Sequence, residues 1–439
     1  MNTSELFACL QERMPAGSLS AGPGEPAAAR HELLRQARPP LCIVRPGNAG
    51  ELDAIVRYAN ETGLTLAVTS STGRHRRGGI ANATEHVLVD LSGWKKIDLI
   101  DRRNRVCRVE PGVTYRELAI ALDPHGLTVP MPLAPRDGKS VLAAVMDREP
   151  GTWPRVQWDA ADPVCSTEFT FGSGERFRTG AAGGPGSIEQ QRAAGGAQKH
   201  PAGPSQADFH RLVQGSQGTL GIVHWITLRA EIRPARPEAY LIGVEWLDDL
   251  IETVYGVQRG LLGEQSFIMN RTAAAWLMCA EDRQFFAEMR RSLPAFVCLQ
   301  VIAGLDRLPE GRAAYHGQEI VRIAGERGLW LEESIGKLSA GALYDRATWP
   351  CGETDWRDDL TGGCLSIFFQ STLDRMPGLL KVFADAAAEF GIPEAEIGAY
   401  VQPVVQNHAC HIELLVPCDP GDLARVERLR DFEREATVR

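Results

Sequence analysis

Ser70-Ser71-Thr72-Gly73-Arg74-His75-Arg76-Arg77-Gly78-Gly79 follows directly on a strand-like run at residues 64–68 and joins permissive backbone to concentrated positive charge. Glycines take up positive φ and let main-chain N–H groups approach an anion, while hydroxyl and guanidinium groups add further donors. Such a turn can cradle a pyrophosphate, but the same ten residues also suit an exposed basic loop, so the flanking sequence decides. Upstream, residues 41–45 read as a strand, 49–62 as an amphipathic helix with Leu52, Ile55, Val56 and Ala59 on its apolar side, and 65–69 as the next strand. The order is therefore strand, helix, strand, anion loop. Downstream, residues 87–91 and 106–109 read as strands and 114–122 as a helix opened by a capping box of Thr114 and Glu117.

Further glycine-bearing loops recur in a fixed order: Pro111-Gly112-Val113-Thr114, Gly172-Ser173-Gly174-Glu175, and Gln214-Gly215-Ser216-Gln217-Gly218-Thr219-Leu220-Gly221-Ile222-Val223. With the Ser/Gly/Arg loop and Arg178-Thr179-Gly180, this set resembles the FAD-linked oxidase family, in the vanillyl-alcohol oxidase and 4-cresol dehydrogenase branch, over residues 38–235. The resemblance implies an α+β chain. A two-subdomain PCMH-type FAD-binding domain spans 38–235, and an α+β cap domain with an antiparallel sheet spans 236–420. A flexible lead-in with a short helix occupies 1–37, and a charged helix occupies 421–439. It also implies FAD as cofactor, held by Ser70, Ser71, Thr72, Gly73, Arg74, His75, Arg76, Gly78, Gly79, Pro111, Gly112, Thr114, Ser140, Gln217, Gly218, Gly221, Ile222 and Val223. Two departures stand out. Relatives carry a small glycine pair where this chain has Leu142-Ala143, which adds bulk where the cofactor passes. Relatives that hold flavin covalently use a histidine at the position of Arg74, so His75, one residue on, reads as a solvent- or phosphate-facing imidazole.

A 172–175 turn between strands 167–171 and 176–179 reads as a hairpin, and 181–207, rich in Gly, Ala, Pro and Gln without period, reads as a loop. Residues 222–232 return to strand, and strands and helices alternate from 240 to 417. Late in the chain, Tyr400, Gln402, His408, His411 and Glu413 cluster. If helical, His408 and His411 share a face as metal ligands can; if residues 412–416 form a strand, His411 and Glu413 share one instead. The second reading suits chemistry better and expects no metal. His411 then serves as base, because an unperturbed imidazole titrates near working pH, with Tyr400, His408 and Glu413 orienting substrate. Arg136 is a candidate clamp for a substrate carboxylate, and Trp153, Trp158 and Trp225 are candidates for an aromatic wall or for plain packing.

Composition sets limits. At 439 residues the chain exceeds one ordinary domain, and 44% hydrophobic with 23% charged residues is globular. A net charge of −9 argues against general nucleic-acid binding. Ten scattered cysteines without Cys-x-x-Cys spacing read as reduced, packed thiols of a cytoplasmic protein with no signal peptide or membrane span. The expected function is oxidation of a hydroxyl-bearing or benzylic C–H of a small molecule, with electrons passed to a partner protein or paralogous subunit. A 2-hydroxy acid dehydrogenase and a non-catalytic subunit with a degenerate flavin fold are the alternatives.

Overall fold

The structure is a computed structural model that describes residues 18–21, 39–73, 84–156, 162–196, 198–203, 208–404 and 409–439. Contacts divide the chain into two units, one of Met1–Val129, Asp137–Glu149 and Asp162–Glu231, the other of Pro130–Arg136, Pro150–Ala161 and Ile232–Arg439.

Among the described residues, a four-stranded and a five-stranded sheet lie in the first unit. Strands β1 (Leu19–Ala21), β2 (Cys42–Val44), β3 (Leu66–Thr69) and β4 (Val87–Asp90) lie in the order β1-β2-β4-β3, with β2 and β3 parallel to β4 and β1 antiparallel to β2. Parallel neighbours require a crossover, and helix α1 (Ala49–Thr62) supplies it. Its apolar residues at i, i+3, i+4 and i+7 bury Leu52, Ile55, Val56 and Ala59. Asn48 caps its start through the Glu51 N–H, the Glu51 carboxylate takes the Gly47 N–H at 2.7 Å, and Gly63 ends it at φ +67°. Strand β1 corrects the reading of 1–37 as lead-in alone: Leu19–Ala21 is fixed by backbone pairing to β2, which leaves no side-chain period to detect.

The second sheet is antiparallel throughout: β5 (Ile97–Asp101), β6 (Val106–Val109), β7 (Val164–Phe171), β8 (Arg176–Arg178) and β9 (Gly221–Arg229), in the order β5-β6-β9-β7-β8. The expected hairpin joins β7 to β8, with Gly174 at φ +85°. Helix α2 (Tyr115–Leu122) carries the Thr114–Glu117 capping box, and α3 (Val141–Met146) starts at Ser140. Residues 181–207 are not wholly loop. They contain helix α4 (Ile188–Ala193), opened by a Ser187–Gln190 capping box; only Ile188 is buried, so caps rather than an apolar stripe define it and periodicity misses it. Helix α5 (His210–Val213) precedes β9.

The second unit is built on one antiparallel sheet. Its strands are β10 (Ala235–Val244), β11 (Gln265–Asn270), β12 (Phe296–Gly304), β13 (Cys364–Ser371), β14 (Gly398–Val404) and β15 (Ala409–Pro417), ordered β10-β12-β11-β14-β15-β13. Helices α6 (Asp248–Arg259), α7 (Arg271–Cys279), α8 (Arg283–Ser292), α9 (Pro309–Gly325), α10 (Ala340–Thr348), α11 (Trp356–Asp359), α12 (Met376–Glu389) and α13 (Leu423–Val438) complete it. The main core joins Leu241, Phe267, Leu299 and Leu415 of the sheet to Trp276 of α7 and Trp356 of α11, whose rings meet edge to face at 6.2 Å. Among the described residues no helix is long and apolar enough to cross a membrane, and all nine described cysteines are free thiols.

Helix α13 is fixed by Phe432, fully buried and edge-on to Phe383 at 5.1 Å. Phe432→Ala should lower stability by about 3–5 kcal/mol in denaturant titration, the cost of an unfilled aromatic site; a change below 1 kcal/mol would show that α13 is not part of the cooperative unit. A second expectation concerns pH. Burial first, and the charges of Arg312 and Arg155 next, push His316 down to about 4, and its Nδ1 accepts the Gly263 N–H at 2.9 Å. The folded protein thus binds fewer protons here than the unfolded chain. This contribution to stability is full above the unfolded histidine value of 6.5 and is lost as pH falls toward 4. Melting midpoints of the wild type should drop across that window more steeply than those of His316→Asn; parallel curves would refute it.

Candidate functional site

Three loops far apart in sequence meet in the first unit at Ser140. Its backbone N–H donates to Ser71 Oγ at 2.9 Å, and its own hydroxyl donates to the Pro111 carbonyl at 2.5 Å. The same oxygen accepts the Ala143 N–H at 3.0 Å, capping α3. Parallel ties reinforce the knot: Thr72 N–H to Gly138 O at 3.1 Å and Val141 N–H to Val113 O at 2.9 Å. Ser71 and Ser140 are buried, Ser70 and Gly73 half-buried and Thr72 exposed, so the start of the Ser/Gly/Arg loop stands on a rigid base with its outer side open. Gly112 is required where it stands, because a Cβ there would lie 2.1 Å from the Ser92 carbonyl oxygen. The Thr114 hydroxyl is engaged with Glu117 as the α2 cap. Leu142 is buried in the first turn of α3, so its bulk turns into the protein.

The Gln214–Val223 loop is tied to the end of α3 by the Gly215 N–H to Met146 O bond of 2.7 Å. Gly215, Gln217 and Gly218 take positive φ of +72°, +51° and +79°, and a Cβ on Gly215 or Gly218 would meet nothing within 4 Å. Their backbone faces open space, which is what a cradle for a bound group needs. Gly218, Gly221 and Ile222 also line a cleft of about 360 Å³ whose other walls are Val56, Ala59 and Asn60 of α1, Leu66 and Val68 of β3, and Thr170 of β7. The lining mixes aliphatic side chains with Asn60, Thr170 and exposed backbone, a combination that a heterocycle with polar edges can meet. Val223 is half-buried on β9.

Beneath this cleft lies a buried polar cluster that the motif reading did not find. Asp53 of α1 accepts from Thr170 Oγ1 at 2.7 Å and from Arg176 Nε at 2.6 Å. A carboxylate only accepts, so the single Thr170 proton goes to Asp53, and Thr170 in turn accepts from His224 Nε2 at 2.7 Å. Asp53, Thr170 and His224 are all buried, and His224 meets the edge of Trp94, whose carbonyl holds the Gly112 N–H. One signal was available: Asp53 is a charge inside the apolar stripe of α1, next to Leu52 and three residues before Val56.

In the second unit, strand register puts Tyr400 opposite Glu413 and Gln402 opposite His411, and Gln370 and Phe368 flank them from β13. Tyr400, His411 and Glu413 therefore share one face of the sheet. The Tyr400 hydroxyl donates to Gln402 Oε1 at 2.8 Å, and Gln402 Nε2 to the Ser266 carbonyl at 2.9 Å. Both Glu413 oxygens are engaged, by Arg357 Nη2 at 2.6 Å and Ser366 Oγ at 2.5 Å, which makes this carboxylate the anchor of a buried ion pair. Arg357 and Ser366 were not found in the sequence because they lie 56 and 47 residues from Glu413. His411 is buried to 5% exposure, with the exposed Phe368 ring 6.0 Å and the Tyr400 ring 6.3 Å away. Arg136 is buried on a separate segment, pinned by the Ala134 N–H to Ala347 O and Cys351 N–H to Pro135 O bonds. Trp153 is buried under Arg155, and Trp225 packs on Ala182 and Ile188 beneath Arg108.

Arg74, His75, Arg76, Gly78, Gly79, Trp158 and His408 lie outside the described residues. Among the described residues no group of three His, Cys, Asp or Glu side chains comes together as a metal site.

Residues 40–180 match the family of the FAD binding domain. D-2-hydroxyglutarate dehydrogenase of Xanthomonas citri pv. viticola is 27% identical over 298 residues, 67% of this chain and 58% of that protein. The flavoprotein subunit of 4-cresol dehydrogenase (hydroxylating) of Pseudomonas putida is 29% identical over 154 residues, 34% of this chain and 29% of it. The crystal structure of p-cresol methylhydroxylase with substrate bound superposes with a TM-score of 0.79 at 15% identity, covering 99% of this chain and 86% of that one, and shares its fold. This chain spans 33–58% of the length of the first curated relatives it matches. Residues 40–180 thus match an FAD binding domain, and the chain shares its fold with p-cresol methylhydroxylase.

Proposed function

We propose that this protein is an FAD-dependent oxidoreductase that removes hydride from a hydroxyl-bearing or benzylic C–H of a small aromatic substrate. Bound FAD supplies a two-electron acceptor at flavin N5. The observations that carry the reading are the Ser71–Pro111–Ser140 knot, which fixes the base of the Ser70–Gly73 loop, and the Gly215–Gly218 turn, whose positive-φ glycines leave open space where side chains would stand, so that a dinucleotide can approach the backbone. In the second unit, His411 takes the substrate proton, and the Tyr400–Gln402 pair fixes the polar side of the sheet face on which it stands.

The aromatic preference rests on two features. Phe368 presents an exposed ring beside His411, and Arg357, the cation of that cluster, already faces Glu413 and so does not recruit a substrate carboxylate. The likeness to 4-cresol dehydrogenase and p-cresol methylhydroxylase agrees with it. A 2-hydroxy acid is the second reading, favoured by the longer match to D-2-hydroxyglutarate dehydrogenase. Electron transfer to a partner protein is part of the proposal, because the Pseudomonas relative is itself named as a flavoprotein subunit.

Purified protein should be yellow, and anaerobic mixing with 4-alkylphenols or benzylic alcohols should bleach it. His411→Asn should keep its FAD and slow bleaching by about 10²–10⁴-fold, the usual worth of a general base. Bleaching by D-2-hydroxy acids alone would transfer the assignment to the second reading. A yellow protein that nothing bleaches would instead be a non-catalytic subunit.

A further inference from the structure

The Asp53 cluster sits where the two walls of the cleft join, and FAD binding as proposed above makes that placement consequential. Thr170 lines the cleft, while Asp53 lies three residues before Val56, another lining residue, on the same side of α1. The 2.7 Å bond from Thr170 Oγ1 to Asp53 therefore runs from the β7 wall to the α1 wall, and the 2.6 Å bond from Arg176 Nε adds a second span from β8. His224, on β9 two residues after the lining residue Ile222, completes the set by donating to Thr170. Thr170 of β7 and Arg176 of β8 are thus held directly to one carboxylate, and β9 is joined to it through Thr170.

Leucine or valine at position 53 would extend the apolar stripe of α1 without any desolvation penalty. A buried carboxylate in that stripe gains little stability over an apolar side chain but admits only one spacing and register of the groups that bond it. Charge-assisted bonds of this length are also stiff compared with apolar packing.

We infer that Asp53, through Thr170, is a positioning residue that sets the width of this cleft for the adenosine half of FAD. The inference rests on the FAD reading and adds that affinity for the full dinucleotide, as opposed to the flavin half alone, depends on this clamp. The adenosine assignment follows from the cleft's size, its lining of aliphatic side chains beside the polar Asn60 and Thr170, and Val68 standing two residues before Ser70 of the phosphate loop.

The test is titration of flavin-stripped protein with FAD and with FMN, which lacks the adenylate. Asp53→Asn and Thr170→Val, both close in shape to the native residues, should raise the FAD dissociation constant about tenfold or more and leave that of FMN within about twofold. Thr170→Ser keeps the hydroxyl and should bind FAD like the wild type. Parallel loss of both nucleotides, or no loss of either, overturns the clamp. So does failure of Thr170→Ser to restore FAD binding. Should Asp53→Asn not fold, the Thr170→Val and Thr170→Ser pair decides. A wild-type chain that takes up neither nucleotide sinks the FAD reading itself, an outcome distinct from binding that is indifferent to these substitutions.

Discussion

The hydroxyl and backbone N–H of Ser140 hold together loops that are 69 and 29 residues away in sequence, and the first unit's cofactor side is organised around that one residue. A buried serine with three satisfied bonds is costly to replace, because Ser71, Pro111 and the first turn of α3 would each lose a partner inside the protein. The arrangement has a directional consequence. With the Thr72 N–H on the Gly138 carbonyl and the Gly215 N–H on the Met146 carbonyl, the loops meet these hydrogen-bond needs inward, and Gly215 and Gly218 leave open the space where side chains would stand.

The second unit uses a different logic. Its sheet places polar side chains on a face that is otherwise packed, and each is matched to a neighbour before any ligand arrives: Tyr400 to Gln402, Glu413 to Arg357 and Ser366. Such prior matching removes the freedom of long side chains and lowers the entropy that a small molecule must overcome to be oriented. It also divides roles that look alike in sequence. Of the two titratable groups His411 and Glu413, the carboxylate is committed to an ion pair with Arg357, and the imidazole is the one left for the proton transfer proposed above.

Much of the first unit was legible in the chain because its signals are local. Apolar spacing at Leu52, Ile55, Val56 and Ala59, the cap at Thr114, and glycines at 112, 174 and 218 each report a backbone requirement within a few residues. The misses share the opposite property. Strand β1 exists through its pairing with β2, α4 through its caps, and the Asp53–Thr170–His224 cluster through contacts spanning 117 and 54 positions. In the second unit, strand spacing put His411 and Glu413 on one face, while Arg357, from a four-residue helix, has no periodicity to betray it.

The allocation of segments 130–136 and 150–161 to the second unit, although they interrupt the first in sequence, bears on how this protein is made and handled. Neither unit is a contiguous stretch of polypeptide, so the chain passes from one to the other and back before the main body of the second begins. During synthesis, the early threads of the second unit emerge long before the sheet that receives them, and must wait for it. No single protease cut or expression boundary would release either half complete, which makes gene truncation a poor route to an isolated flavin-binding fragment.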